Sequence, residues 1–287
     1  MTRPLSHCDG CTGHDPAFLG TEVPLPTLTD EQRRAAATRI GARPGEDPTV
    51  IPYTHFSVVL NRVRQLAHYT VVNIDGTALV DLPRDRDRWY FDPRIAESEQ
   101  IGEELYRRNA LDRGHLVRRL DPVWGAHPQR PNDDTFHFTN CSPQHERFNQ
   151  GQDLWQGLEN AILTNAAVRA RRISVFTGPV FGADDPLYKG VRLPLAYWKV
   201  VAYDRVDGTL ATAAYVLEQA KLVEDVLATE ARFEPGAFRI TLAELRTRTG
   251  LDFDHLAGHE LPLSSSGLEG RGADRVRIAE DYSNLVF

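Results

Sequence analysis

The chain has 287 residues, 41% hydrophobic and 25% charged, with a net charge of −7. That length suits one large domain or two small ones, and the balance excludes wholesale disorder. No run approaches the roughly 18 apolar residues of a membrane span. The opening MTRPLSHCDGCTGHDP lacks the apolar core of a secretory signal, so a cytoplasmic, reducing setting without a membrane is expected. The acidic balance means that a polyanionic substrate would need a local basic site or a metal.

Residues 1–45 read as an amino-terminal arm, in part disordered, because Pro4, Pro16, Pro24, Pro26 and Pro44 punctuate it. Asp30–Ile40 is a short helix within it, with Asp30 as a cap. Phe56–Leu66 places Val59, Val63 and Leu66 at helical spacing and is expected to be a helix. Leu66–Ile74 is rich in β-formers and ends at Asp75-Gly76, a hairpin signal, with Thr77–Leu82 as the return strand. Gly102–Asn109 reads as a helix. Thr135–Thr139, where Phe136 and Phe138 alternate, reads as a strand. Trp155, Leu158, Ile162 and Ala166 form one stripe of an amphipathic helix. Arg172–Gly178 is an apolar strand, and Trp198–Tyr203 and Thr209–Leu217 flank the turn signal Asp207-Gly208. Leu242–Thr249 reads as a helix stopped by Gly250, and from 257 to 287 the chain reads as a loop-like extension. Hairpins without βαβ regularity indicate an α+β fold with antiparallel pairing.

The chemistry concentrates between Asp112 and Glu159. His115 is suited to acid–base work near neutrality. Arg113, two positions away on an extended segment, projects to the same side and offers a fork for phosphate oxygens. Gly114 between them permits close approach. Asn140, Asn149 and Glu159 are oxygen donors of the kind hard cations accept. Together they suggest metal-assisted hydrolysis of a phosphodiester.

Four strings carry a resemblance: Asp112-Arg-Gly-His115, Asn140-Cys-Ser-Pro-Gln144, Phe148-Asn149-Gln150 and Trp155-Gln-Gly-Leu-Glu159. In order and spacing they resemble the DNA/RNA non-specific endonucleases of the ββα-metal superfamily, the endonuclease G-like group. The resemblance spans about residues 46–256 and implies a central antiparallel sheet flanked by helices. It implies His115 as the general base and Asn149 as the direct ligand of one magnesium ion, with manganese as a substitute. Glu159 would act on the metal through its water, Arg113 would lie near the scissile phosphate, and Asn140 would support the site. Cleavage of DNA and RNA to 5′-phosphate products would follow. An upstream arginine also contacts substrate in that family. Arg84, Arg86 and Arg88 are the candidates, and Arg147 is a further rim residue.

Two residues more than is usual separate Asn149 from Trp155. On a continuous helix they would rotate Glu159 by about 200° relative to Asn149. The expectation is a loop before the helix, capped by Asp153. His7, Cys8, Cys11 and His14 form a C-x-x-C flanked by histidines, and zinc is one reading of it beside an arm without metal. A homodimer and an inhibitor or activating partner are the partners considered besides DNA and RNA. The alternative function is a catalytically inactive nuclease fold that binds nucleic acid or a protein.

Overall fold

A computed structural model describes residues 1–84, 88–227, 236–263, 275–278 and 282. In chain order the elements are α1 (Asp30–Ala35), β1 (Val50–Pro52), β2 (Phe56–Asn61), β3 (Leu66–Asp75), β4 (Leu111–His115), α2 (Gln129–Asp134), β5 (Cys141–His145) and α3 (Glu146–Asn149). There follow α4 (Trp155–Val168), β6 (Arg172–Val180), β7 (Leu187–Tyr188), β8 (Val191–Arg192), β9 (Ala196–Asp204), β10 (Leu210–Glu218) and α5 (Ala220–Leu227). β11 (Gly236–Ile240), α6 (Leu242–Thr249), α7 (Asp254–Ala257) and β12 (Arg275–Arg277) complete the set. Eight strands form one antiparallel sheet in the order β1-β2-β3-β6-β9-β10-β11-β12, while β4 and β5 pair separately. This is the α+β architecture expected.

Both faces of the large sheet are covered. On β9, Tyr197, Val201 and Tyr203 join the core that contains Trp155, Leu158, Ile162 and Ala166 of α4. The alternate residues Trp198, Val200 and Ala202 join a second core with Phe18, Val23 and Leu28 and with Leu242, Leu245 and Leu256. The period of two along the strand makes this division, and each fully buried Leu or Ile contributes about 1.5–3 kcal/mol.

Cover on both faces explains the main error of the sequence reading. Phe56–Leu66 is not a helix: β2 runs from Phe56 to Asn61 with every residue buried, so no polar alternation announces a strand. Val63, which completed the helical spacing, is 75% exposed in the turn to β3. Thr77–Leu82 is not a return strand either. Asp75 Oδ1 accepts from Thr77 N (3.0 Å) and Oγ1 (2.6 Å), which turns the chain away, and β3 pairs with β2 and β6 instead. Glu103–Tyr106 is a single 3-10 turn within the expected Gly102–Asn109 helix. Thr135–Thr139 is not a strand: Phe136 and Phe138 are buried, but the backbone turns into a 3-10 segment, Phe138–Asn140. The hairpin at Asp207-Gly208, the α4 stripe and the α6 stop at Gly250 are as read.

Residues 1–45, read as an arm, lie against the body. Gly13 N donates to Tyr53 O (2.8 Å), Asp15 N donates to Asn73 Oδ1 (2.7 Å), and Val23 and Ala37 are fully buried. β12 adds an edge strand to β11, within the segment read as loop.

Candidate active site

The site stands on the two-stranded ribbon and the helices after it. β4 and β5 pair with His115 opposite Cys141 and Asp112 opposite Gln144. The ribbon is fastened to the large sheet: Tyr197 Oη donates to Pro143 O (2.7 Å), and the Gln219 amide accepts from His145 N (2.9 Å) while donating to Pro194 O (2.8 Å). Gly114 leaves room for the Gln144 side chain, which a Cβ at that position would meet.

A cleft of about 520 Å³ is lined by His115, Arg113 and Asp112 of β4, Asn149 at the end of α3, and Glu159 and Gln156 of α4. Arg84, Trp89, Arg118, Arg119, Leu120 and Gln150 complete its walls. The structure thus brings together four of the residues singled out by motif, His115, Arg113, Asn149 and Glu159. His115 is half-buried, with its ring 4.6 Å from that of Trp89 and 5.0 Å from that of Phe136, edge to face. These aromatics fix the imidazole plane on one side of the cleft.

Asp112 accepts from Asn149 Nδ2 (2.9 Å) and from Gln150 Nε2 (2.8 Å). A carboxylate only accepts, so it selects the NH₂ side of the Asn149 amide and leaves Oδ1 as an oxygen donor. Arg113 Nη1 donates to Glu103 Oε1 (2.6 Å).

Glu159 keeps its place despite the two additional residues. α3 ends at Asn149 and α4 begins at Trp155, so Gln150–Leu154 is a loop between two helices. The loop folds over the first turn of α4, where Gly157 N donates to Gly151 O (3.2 Å). A Cβ on Gly157 would collide with Gln152 O. The cap is Leu154 without a side-chain bond, not Asp153, whose carbonyl accepts from Tyr282 Oη (2.9 Å).

Below the cleft lies a buried charge group. Glu159 Oε1 is 3.3 Å from Lys199 Nζ, with side chains 10% and 1% exposed. Lys199 also donates to Thr177 Oγ1 (3.1 Å) and Leu116 O (3.4 Å), and its ammonium lies 4.4 Å over the Trp155 ring. Burial raises the Glu159 pKa, while Lys199 and Arg118 oppose the rise. Burial likewise pushes Asp121 up to about 7, opposed by Lys199, with Glu159 adding to the rise. Sequence reading missed Lys199, Asp121, Trp89 and the orienting role of Asp112. Asp112 lies inside a quoted string, whereas the other three carry no local signal.

Other named residues lie elsewhere. Asn140 is fully buried behind the cleft: its Oδ1 accepts from Val117 N (2.9 Å) and its Nδ2 donates to Val117 O (3.0 Å) and Thr135 O (2.9 Å). It braces the chain beyond β4 and does not line the cleft. Of the upstream arginines, Arg84 lines the cleft, the exposed Arg88 does not, and Arg86 lies outside the described residues. Arg147 is exposed and also off the cleft. The zinc reading of the amino-terminal segment is corrected. His7 Nε2 is 2.8 Å from Asp134 Oδ1 and His14 Nε2 is 2.9 Å from Val23 O, so the two rings are committed to different partners. Among the described residues, no three or more His, Cys, Asp or Glu side chains are grouped to hold a metal.

Residues 34–258 match the DNA/RNA non-specific endonuclease family. The chain belongs to that family. An uncharacterised protein of Sinorhizobium fredii, y4fB, is 42% identical over 269 residues, covering 88% of this chain and 40% of its own length. Human mitochondrial endonuclease G is 29% identical over 134 residues, covering 42% of this chain and 43% of its own length. The chain thus spans less than half the length of these relatives. The solved EndoG/EndoGI complex contains a chain that superposes with a TM-score of 0.55 and 21% identity, over 74% of this chain and 88% of that one. That likeness concerns the fold. Among the described residues, no helix is long and apolar enough to cross a membrane.

Proposed function

We propose that this chain is a magnesium-dependent endonuclease that hydrolyses DNA and RNA without sequence preference. The observation that carries this is the composition of the cleft. In a chain of net charge −7, one cleft collects Arg84, Arg113, Arg118 and Arg119 against Asp112 and Glu159, around His115 and Asn149. A local excess of arginine in an acidic molecule suits a phosphodiester, which the molecule's overall field would otherwise repel.

The donor set suits magnesium, which keeps several waters and takes few protein oxygens. Asn149 Oδ1, freed by the bond from its amide nitrogen to Asp112, would hold the ion directly, and Glu159 would act through water. When bound, the ion would offset charge on the phosphate and on the departing oxygen. The residues of the chain supply the rest. Arg113 and the neighbouring arginines orient the phosphate oxygens. His115 takes a proton from a water whose oxygen bonds to phosphorus as the bond to the 3′ oxygen breaks. The 3′ oxygen leaves as a hydroxyl with a proton from solvent, and the 5′-phosphate stays on the other product. None of these contacts reads a base.

Control by a second protein is also part of this reading, because a nuclease without sequence preference must be restrained in its own cell. The name of the EndoG/EndoGI complex describes such inhibition for that protein. Plasmid DNA and RNA, each with magnesium or with EDTA, form the test, with His115→Ala beside the parent. Metal-dependent loss of both substrates, reduced about 10²–10⁴-fold in the variant, is expected. A folded parent inert toward both substrates with every divalent metal would overturn the proposal.

A further inference from the structure

We infer that the substrate groove continues past the reaction cleft into a second basic hollow, which holds flanking phosphates of the same nucleic-acid strand; this rests on the nuclease reading above. The hollow, about 550 Å³, lies between the amino-terminal segment and α2, and its walls include Arg3, His7, Leu82, His127, Arg130 and Asp133.

The hollow adjoins the cleft. Leu82 lines the hollow, and Arg84, two residues on, lines the cleft. Arg119 of the cleft donates from Nη1 to Leu82 O (3.0 Å), which ties the shared ridge together. Two extended residues reach at most about 7 Å, so the two walls meet along one short stretch of chain.

Its two arginines are held differently: Arg130 by neutral groups, and Arg3 in a long, partly exposed ion pair with Asp133. Arg130 Nη2 donates to His7 O (3.0 Å), to Asp9 O and to Cys11 Sγ (3.3 Å). None of these acceptors is a carboxylate, so the guanidinium is oriented while its charge stands. Arg3 lies 4.1 Å over the Tyr90 ring, with Nη2 3.9 Å from Asp133, itself partly exposed. Phosphates fit such a row because they carry the charge of the strand and no sequence. The hollow is therefore an extension of the phosphodiester site, giving affinity for long strands without specificity.

The test measures binding of labelled single strands of about 4 and about 20 nucleotides to the full chain carrying His115→Ala, across salt concentrations. Cleavage of the same strands by the chain with His115 intact is followed in parallel. Arg3→Glu places a negative charge in the hollow, and Ala126→Lys, at an exposed position on its wall, adds a positive one. Arg3→Glu is expected to weaken the longer strand about tenfold and to reduce the salt slope by about 0.7 per lost phosphate contact. Ala126→Lys is expected to tighten the longer strand. Binding and cleavage of the shorter strand should stay within about twofold of the parent in both variants. With melting temperatures at the parent value, equal changes for both lengths, or none for either, would overturn the inference. A parent that neither binds nor cleaves either strand would sink the nuclease reading itself, and this extension with it.

Discussion

The two bonds into Asp112 give a quantitative handle on the site. Asp112→Ala removes the acceptor of Asn149 Nδ2 (2.9 Å) and Gln150 Nε2 (2.8 Å). Hydrogen bonds to a charged group contribute about 1.5–3 kcal/mol each when buried. Here the groups are half-buried or exposed, so solvent reduces the orienting energy on Asn149 to about 1–2 kcal/mol. Without Asp112 the amide is free to turn its NH₂ toward the cleft, where it repels a cation. The magnesium concentration for half-maximal cleavage should rise about 5–30-fold, overlapping the low end of the roughly 10–100-fold cost of losing a group that orients a metal ligand. Gln150→Ala removes only the second bond and should shift the midpoint less than about threefold. The assay is plasmid nicking across a magnesium titration, with thermal unfolding as the control. A lower maximal rate at an unchanged magnesium midpoint would refute the reasoning, because orientation of the ligand would not be what Asp112 supplies.

Three further outcomes follow from the buried groups. Lys199→Met leaves Glu159 without its buried counter-charge (3.3 Å) and should cost about 3–5 kcal/mol in urea unfolding, much of it recovered in Lys199→Met/Glu159→Gln; equal costs for the single and double variants would refute this. Asp121, pushed up to about 7, holds its proton in the folded state when the unfolded chain has released its own, so it removes stability as pH rises from about 4 to 7. Asp121→Asn should flatten that decline and raise the melting temperature at pH about 8, with little effect near pH 4; a parallel shift at both would refute the assignment. Gly157→Ala should lower stability by more than the gain of a helix former, because Gln152 O occupies the space its methyl needs; a stabilised variant would show that the loop before α4 yields freely.

By itself the sequence determined what is local. Arg113 and His115 stand two residues apart on one strand, so their shared side follows from spacing alone. The α4 stripe at Trp155, Leu158, Ile162 and Ala166 and the turn at Asp207-Gly208 were legible for the same reason: one element meeting one environment leaves a clear period. β2 escaped because both of its faces are buried, which erases the alternation. Only the tertiary structure decided the rest. Whether Glu159 shares a cleft with Asn149 depended on how five loop residues fold over the first turn of α4. That Arg84 lines the cleft depended on the path of the chain past Leu82. Lys199 reaches Glu159 from β9, 40 residues downstream, and Arg130 is oriented by carbonyls of the first nine residues. Such contacts are set by the packing of distant elements, and no periodicity within an element records its partner across a core.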